Sequence, residues 1–153
     1  AQDWGVLLPQ GTSLTVTAGQ MKRYVDALAG AGQGPEHARV HLARAAYVAP
    51  TDEQAWAEAE GPYKAFLGYA DKLRRATAAG GEGGRSPFDL DADLRSSALF
   101  GSPETVTAGL EAIRELGIDR VMLFMHMGEL PHEKIMSSLD LFAREVLPVV
   151  REM

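Results

Sequence analysis

An α/β fold built on parallel strands is predicted by three observations. Short apolar runs at residues 4–8, 38–48 and 121–125 alternate with longer stretches whose apolar residues recur at helical spacing. The last run, Val121, Met122, Leu123, Phe124 and Met125, is apolar on both pleat faces, as expected of a parallel strand covered on both sides. Proline, glycine or a capping residue marks most of the boundaries between runs.

In chain order, residues 4–8 read as a short buried strand ended by Pro9, Gln10 and Gly11. Thr17 and Gln20 have capping-box spacing, and Met21, Tyr24, Val25 and Leu28 form the apolar stripe of a helix that Gly30 and Gly32 break. Residues 38–48 favour a second strand, with alanines that leave a helix open as the alternative. Pro50 stops it, and Thr51 with Gln54 opens a long helix reaching about Arg75. Along that helix Ala55, Ala59, Phe66 and Tyr69 are expected to face inward, and Gly61-Pro62 to kink or split it. Residues 76–97 depart from this patterning, being pliable at Gly80-Gly81 and Gly83-Gly84 and solvated at Asp89, Asp91 and Asp93. Such an insertion reads either as a surface loop without chemistry or as an active-site lid.

Residues 101–148 are the most clearly punctuated part of the chain. Ser102 caps a helix, Pro103 suits its first turn and Glu104 complements its dipole. Val106, Leu110, Ile113 and Leu116 then fall on one face before Gly117 supplies a left-handed stop. After the strand at 121–125, a loop at 126–131 leads to a helix with Ile135, Leu139, Phe142 and Val146 on one stripe and Pro148 near its end.

A chain of 153 residues suffices for one domain with a real core. Its formal charge of −6, without a Lys/Arg cluster, argues against nucleic acid as a partner. No apolar run approaches the roughly 18 residues of a spanning helix and no secretory signal is present, so no membrane partner and a cytoplasmic location are expected. The absence of cysteine excludes disulfides, thiolate metal sites and a cysteine nucleophile.

Four groups of residues carry a family resemblance: Gly101-Ser102-Pro103-Glu104, Leu116-Gly117-Ile118-Asp119, Leu130-Pro131-His132-Glu133-Lys134 and Phe142-Ala143-Arg144-Glu145-Val146-Leu147-Pro148. Tyr47-Val48-Ala49 through Asp52-Glu53-Gln54-Ala55 adds a fifth. With these residues the chain resembles the C-terminal end of the luciferase-like monooxygenases, flavin- or deazaflavin-dependent (β/α)8 barrels. The resemblance implies that residues 1–153 are the C-terminal portion of a TIM barrel, about three βα units with outer helices, their strands being the last three of eight. A whole barrel needs about 250 residues, so a fragment or processed product is expected. The resemblance also implies that residues 76–97 cover the cofactor pocket.

His126 follows the last strand at the barrel mouth, where this architecture places its sites. Its imidazole is able to donate a hydrogen bond to a flavin or a substrate, or simply to bond a nearby carbonyl. His126 and Gly128 are the expected cofactor-binding residues; no catalytic residue is assigned. His126, His132 and Glu133 match no metal motif, and His37 with His41 straddles a strand start, so no metal is expected. Ser102 reads as a helix cap, with a phosphate at the same N-terminus as the competing reading. The glycines at 30–34 and 81–84 do not link a strand to a helix as a dinucleotide loop does, and Met122, Met125, Met127 and Met136 read as core filling.

The resemblance implies an oxidoreductase holding reduced FMN, or a deazaflavin in its place. With a flavin, one oxygen atom passes to a small organic substrate; with a deazaflavin, the expected chemistry is hydride transfer. Its partners would be that substrate, a missing N-terminal half or a second copy of the chain, and a flavin reductase. The alternative is an αβ assembly or binding module that no longer catalyses, since three parallel strands cannot close a barrel and leave an edge exposed.

Overall fold

Strand β2, Val40–Val48, is the axis of the sheet in a computed structural model that describes residues 5–77, 94–118 and 120–153, the side chains of 74, 75 and 77 excepted. Trp4, Asp119 and residues 78–93, which make up most of the glycine-rich stretch, lie outside the described residues. Strands β1 (Val6–Leu8), β3 (Leu99–Gly101) and β4 (Arg120–Phe124) all pair with β2 in parallel. The pairing segments of β1 (Val6 to Leu8 on Val40 to Leu42) and β4 (Arg120 to Phe124 on His41 to Ala45) overlap on β2, so these two strands occupy opposite edges. The three expected strands are therefore neighbours in chain order. Strand β3 continues the pairing along Ala46 to Val48. It escapes sequence reading because three residues show no periodicity.

Alternation along β2 assigns the helices to two faces. Val40 and Leu42 pack with Met21 of helix α1 (Leu14–Gly30) and Ile113 of helix α4 (Pro103–Glu115). Val48, on the same face, packs with Val106 and Leu110 of α4. Ala45 and Tyr47 instead meet Ala55, Ala59, Tyr63 and Leu67 of helix α2 (Asp52–Thr77). Phe100 of β3 adds ring contacts to Trp56 and Tyr63 at 5.0 and 5.4 Å. Thus α1 and α4 form the outer layer, while α2 lies across the opposite face. Each fully buried Leu, Ile or Phe in these layers contributes about 1.5–3 kcal/mol.

Several local expectations are corrected. Ser13 rather than Thr17 caps α1, accepting the Val16 N–H at 3.3 Å. Thr17 lies within the helix, buried, with its hydroxyl donating to the Ser13 carbonyl at 2.9 Å. Helix α2 runs unbroken through Pro62, and Tyr69 faces solvent at 67% exposure because it lies off the buried stripe of Ala55, Ala59, Tyr63 and Leu67. Strand β4 is covered on its α2 face only at its end, where Phe124 meets Phe66 at 5.0 Å: Met122, paired beside Ala43, is 60% exposed, and Leu7, paired beside His41, is 56% exposed. This apolar surface continues the α2 face beyond the reach of that helix.

A short helix α3 (Leu94–Ser97) precedes β3, and helix α5 (His132–Leu141) follows β4. A wider π-helical turn, Phe142–Val146, joins α5 to helix α6 (Leu147–Glu152). Pro148 explains the change of pitch, since it has no N–H to return to the Arg144 carbonyl; the Leu147 N–H reaches back to Phe142 instead.

Helix α5 also closes the upper edge of β2. The Ala49 N–H bonds the Gly101 carbonyl at 3.1 Å, whereas the preceding N–H, on Val48, turns the other way and donates to Ser138 Oγ at 2.7 Å. Val48 and Ser138 are both buried, so no water replaces that hydroxyl. Ser138→Ala is expected to cost about 1–3 kcal/mol in urea unfolding by stranding a buried donor, while Ser137→Ala on the exposed neighbour changes stability by less than about 0.5 kcal/mol.

Candidate functional site

Parallel pairing brings the C-terminal ends of β1, β2 and β4 to one end of the sheet. Past β4, Met125 and Met127 are buried, and Met127 joins the cluster under α2. His126 between them is exposed and makes no hydrogen bond or ion pair among the described residues. Gly128 has φ +54°, and a Cβ there would lie 3.0 Å from the Pro62 carbonyl oxygen. Its glycine is therefore required by close approach of the loop to α2 as well as by its left-handed backbone. His126 and Gly128 lie on one loop, but only His126 directs a free polar side chain outward.

A second group lies above β2. Tyr47 donates its hydroxyl to Glu58 Oε2 at 2.6 Å, and the other carboxylate oxygen receives Gln54 Nε2 at 3.2 Å and Lys134 Nζ at 3.1 Å. Burial, aided by Glu58, raises the Tyr47 pKa well beyond the ordinary phenol range, so the hydroxyl stays protonated. The Tyr47 hydrogen bond, with Lys134 and Gln54 beside it, holds Glu58 below the usual carboxylate value. Both Glu58 oxygens are engaged, which suits it to joining β2, α2 and α5 rather than to removing a proton. These residues line a groove of about 470 Å³ that also includes Glu133, Asp140 and Arg144. In the sequence, the i, i+4 spacing of Gln54 and Glu58 is the local signal for this group, while Tyr47 and Lys134 stand outside that spacing along the chain.

The phosphate reading of Ser102 is displaced by a side chain of the protein itself. Asp52, in the first turn of α2, accepts the Ser102 N–H at 2.7 Å and the Thr105 hydroxyl at 2.9 Å. Ser102 Oγ in turn accepts the Thr105 N–H at 3.3 Å. A carboxylate thus occupies the positive end of α4. Gly101 makes room for it, because a Cβ at 101 would come within 2.7 Å of Asp52 Oδ1. Among the described residues no three His, Asp or Glu side chains gather into a metal-binding group. None of the described helices is long and apolar enough to cross a membrane.

The family model of the luciferase-like monooxygenases matches residues 3–120. The chain belongs to the luciferase-like monooxygenase family. The match includes Gly101 to Glu104 and Leu116 to Asp119, whereas His126, Gly128 and the resemblance read in the last helices lie beyond it. No curated protein sequence matches the chain. Among solved structures, it is similar to the monooxygenase RslO1 from Streptomyces bottropensis, with 23% identity and a TM-score of 0.66 over 96% of this chain and 42% of the other. It is also similar to the oxygenating constituent of 3,6-diketocamphane monooxygenase from the CAM plasmid of Pseudomonas putida, in complex with FMN: 26% identity, TM-score 0.60, 93% of this chain and 42% of that one. A third likeness is to the coenzyme F420-dependent tetrahydromethanopterin reductase of Methanopyrus kandleri, at 15% identity and TM-score 0.62 over 95% and 45% of the two chains. The chain therefore spans less than half the length of these family structures, and its open parallel sheet matches part of their barrel.

Burial of the Asp52 charge is slight, and its pKa is lowered mainly by the Ser102 N–H and next by Thr105. Asp52→Ala is expected to cost about 0.5–2 kcal/mol at pH 7, the usual range for loss of a helix cap. A depressed carboxylate pKa contributes stability above its unfolded value, about 3.9, which is lost as pH falls through the folded value. Urea midpoints of wild type and variant should accordingly converge as the pH is lowered through that range.

Proposed function

We propose that the chain is the C-terminal part of a flavin-dependent luciferase-like monooxygenase acting on a small organic substrate. The single observation that carries this reading is the family match over residues 3–120, joined to a sheet whose strand ends converge as barrel strands do. Reduced FMN is the preferred cofactor, since the neighbour with the highest identity of the three was solved in complex with FMN; a deazaflavin is the alternative, in line with the F420-dependent reductase.

The residues present suit a cofactor at the strand ends only in part. His126 is exposed beside the end of β4 with a side chain able to donate or accept a hydrogen bond. Gly128 offers its backbone alone, because its Cα side is taken up by Pro62. His126 would therefore hold a polar edge of the cofactor or substrate, and Gly128 would shape the rim. When bound, a reduced flavin supplies transfer of an oxygen atom to the substrate, and a deazaflavin supplies hydride transfer. The chain would contribute orientation and exclusion of water, with Met125, Met127 and the α2 cluster forming a dry wall beneath the loop. A flavin reductase is proposed as the source of reduced cofactor.

A second reading, an assembly or binding module without catalysis, is favoured by one observation. The α2 face of the sheet exposes Leu7 and Met122 side by side with His41 and Ala43. That surface calls for cover, either from the rest of a barrel or from a second copy. Binding of reduced FMN to the full-length protein, measured anaerobically by fluorescence, separates the readings. Saturable binding that weakens about tenfold or more in His126→Ala supports the monooxygenase reading. No binding, with a dimer seen by light scattering, supports the module, and unchanged binding and turnover in His126→Ala removes that residue from the site.

A further inference from the structure

The side chain of Arg44 stands apart from everything described so far. It lies on the α1/α4 face of β2, the face opposite Tyr47, and the residue is only 1% exposed. Its hydrogen bonds go to neutral oxygens: Nη1 donates to the Pro9 and Ala43 carbonyls at 3.4 and 3.3 Å, and Nη2 donates to Thr17 Oγ1 at 2.8 Å. Two of the three are long, and a guanidinium carries five N–H donors. No carboxylate among the described residues pairs with it. A buried charge held in this way lacks the compensation that buried charges ordinarily require.

Arg44 lines a cavity of about 430 Å³ between the start of α1, strand β3 and α4. A second cation lines it too. The Arg95 guanidinium lies 4.4 Å from the ring centre of Trp56 and only loosely approaches Glu60, at 3.9 Å. Among the described residues no acidic side chain contributes to the lining, although the chain as a whole carries a net charge of −6. Ser13, Thr15, Ser97 and Thr105 add small polar groups, and Leu14, Leu99 and Ile113 give the remaining walls an apolar character.

We propose that this cavity binds a small organic anion, its carboxylate or phosphate oxygens held by Arg44 and Arg95 and its apolar body set against Leu14, Leu99 and Trp56. The fork of a guanidinium matches either oxyanion in a two-pronged hydrogen bond, and a second guanidinium on an aromatic ring makes the site selective for charge. Desolvation lowers the Arg44 pKa, and an anion beside it offsets that effect by favouring the charged form. The site is separate from the proposed cofactor mouth, since Arg44 points into the helix layer and His126 lies past the end of β4. It stands whether or not the chain binds a flavin.

The test is titration of the full chain with benzoate, phenyl phosphate and the neutral analogue benzamide at constant ionic strength, followed by calorimetry and by the thermal midpoint. At least one anion should bind saturably and raise the midpoint, with benzamide at least tenfold weaker; whichever anion binds more tightly names the oxyanion. Arg44→Met should abolish the anion-dependent rise while its ligand-free midpoint stays equal or increases, because an uncompensated buried charge has been removed. Arg95→Gln, at an exposed position, should fold normally and weaken anion binding about tenfold. The proposal is overturned if benzamide binds as well as the anions, if neither anion binds saturably, or if Arg44→Met responds as the wild type does. Should Arg44→Met fail to fold, unchanged anion affinity in Arg95→Gln overturns it alone.

Discussion

The fold depends on one strand that is paired on both edges and covered on both faces. β2 receives β1 and β4 on opposite edges and β3 along its last residues, while α1 and α4 cover one face and α2 covers the other. Every backbone group buried in that strand therefore needs a partner from another element. Val48 illustrates how strict this is: where β4 stops, a serine from α5 supplies the missing acceptor.

The C-terminal end of β2 is tied to its surroundings through short polar contacts made by α2. Asp52 places the first turn of α2 against the start of α4, and Gly101 allows the approach. Six residues later, Glu58 binds the Tyr47 phenol and Lys134 of α5. Two carboxylates of one helix thus hold three other elements at the end of the sheet where a barrel places its chemistry. The same economy explains why neither carboxylate is free to act as a base.

Much of this was legible in the sequence. Ser102, Pro103 and Gly117 announce the limits of α4 because capping and left-handed residues act locally. The order β1, β2, β4 follows from apolar runs separated by helical stretches. What was not legible arises between distant residues. Thr17 has the local look of a cap, yet Arg44 and Thr12 recruit its hydroxyl into the interior and Ser13 takes the capping role. β4 reads as covered on both sides, but the cover of Met122 depends on neighbours that local pattern does not specify. Likewise the partner of Ser102 is Asp52, fifty positions away, and no spacing rule joins them. The site suffers most, since the family match stops at residue 120, before His126 and Gly128.

The central claim, that β2 is the element on which the rest is assembled, is tested most directly by native-state amide hydrogen exchange of the full chain. The slowest amides should lie within residues 41–48 and exchange only with global unfolding, while the amides of β1 and of the unpaired edge of β4 open at lower free energy. Equal or greater protection of α4 or α5, with β2 exchanging by local opening, would contradict the account.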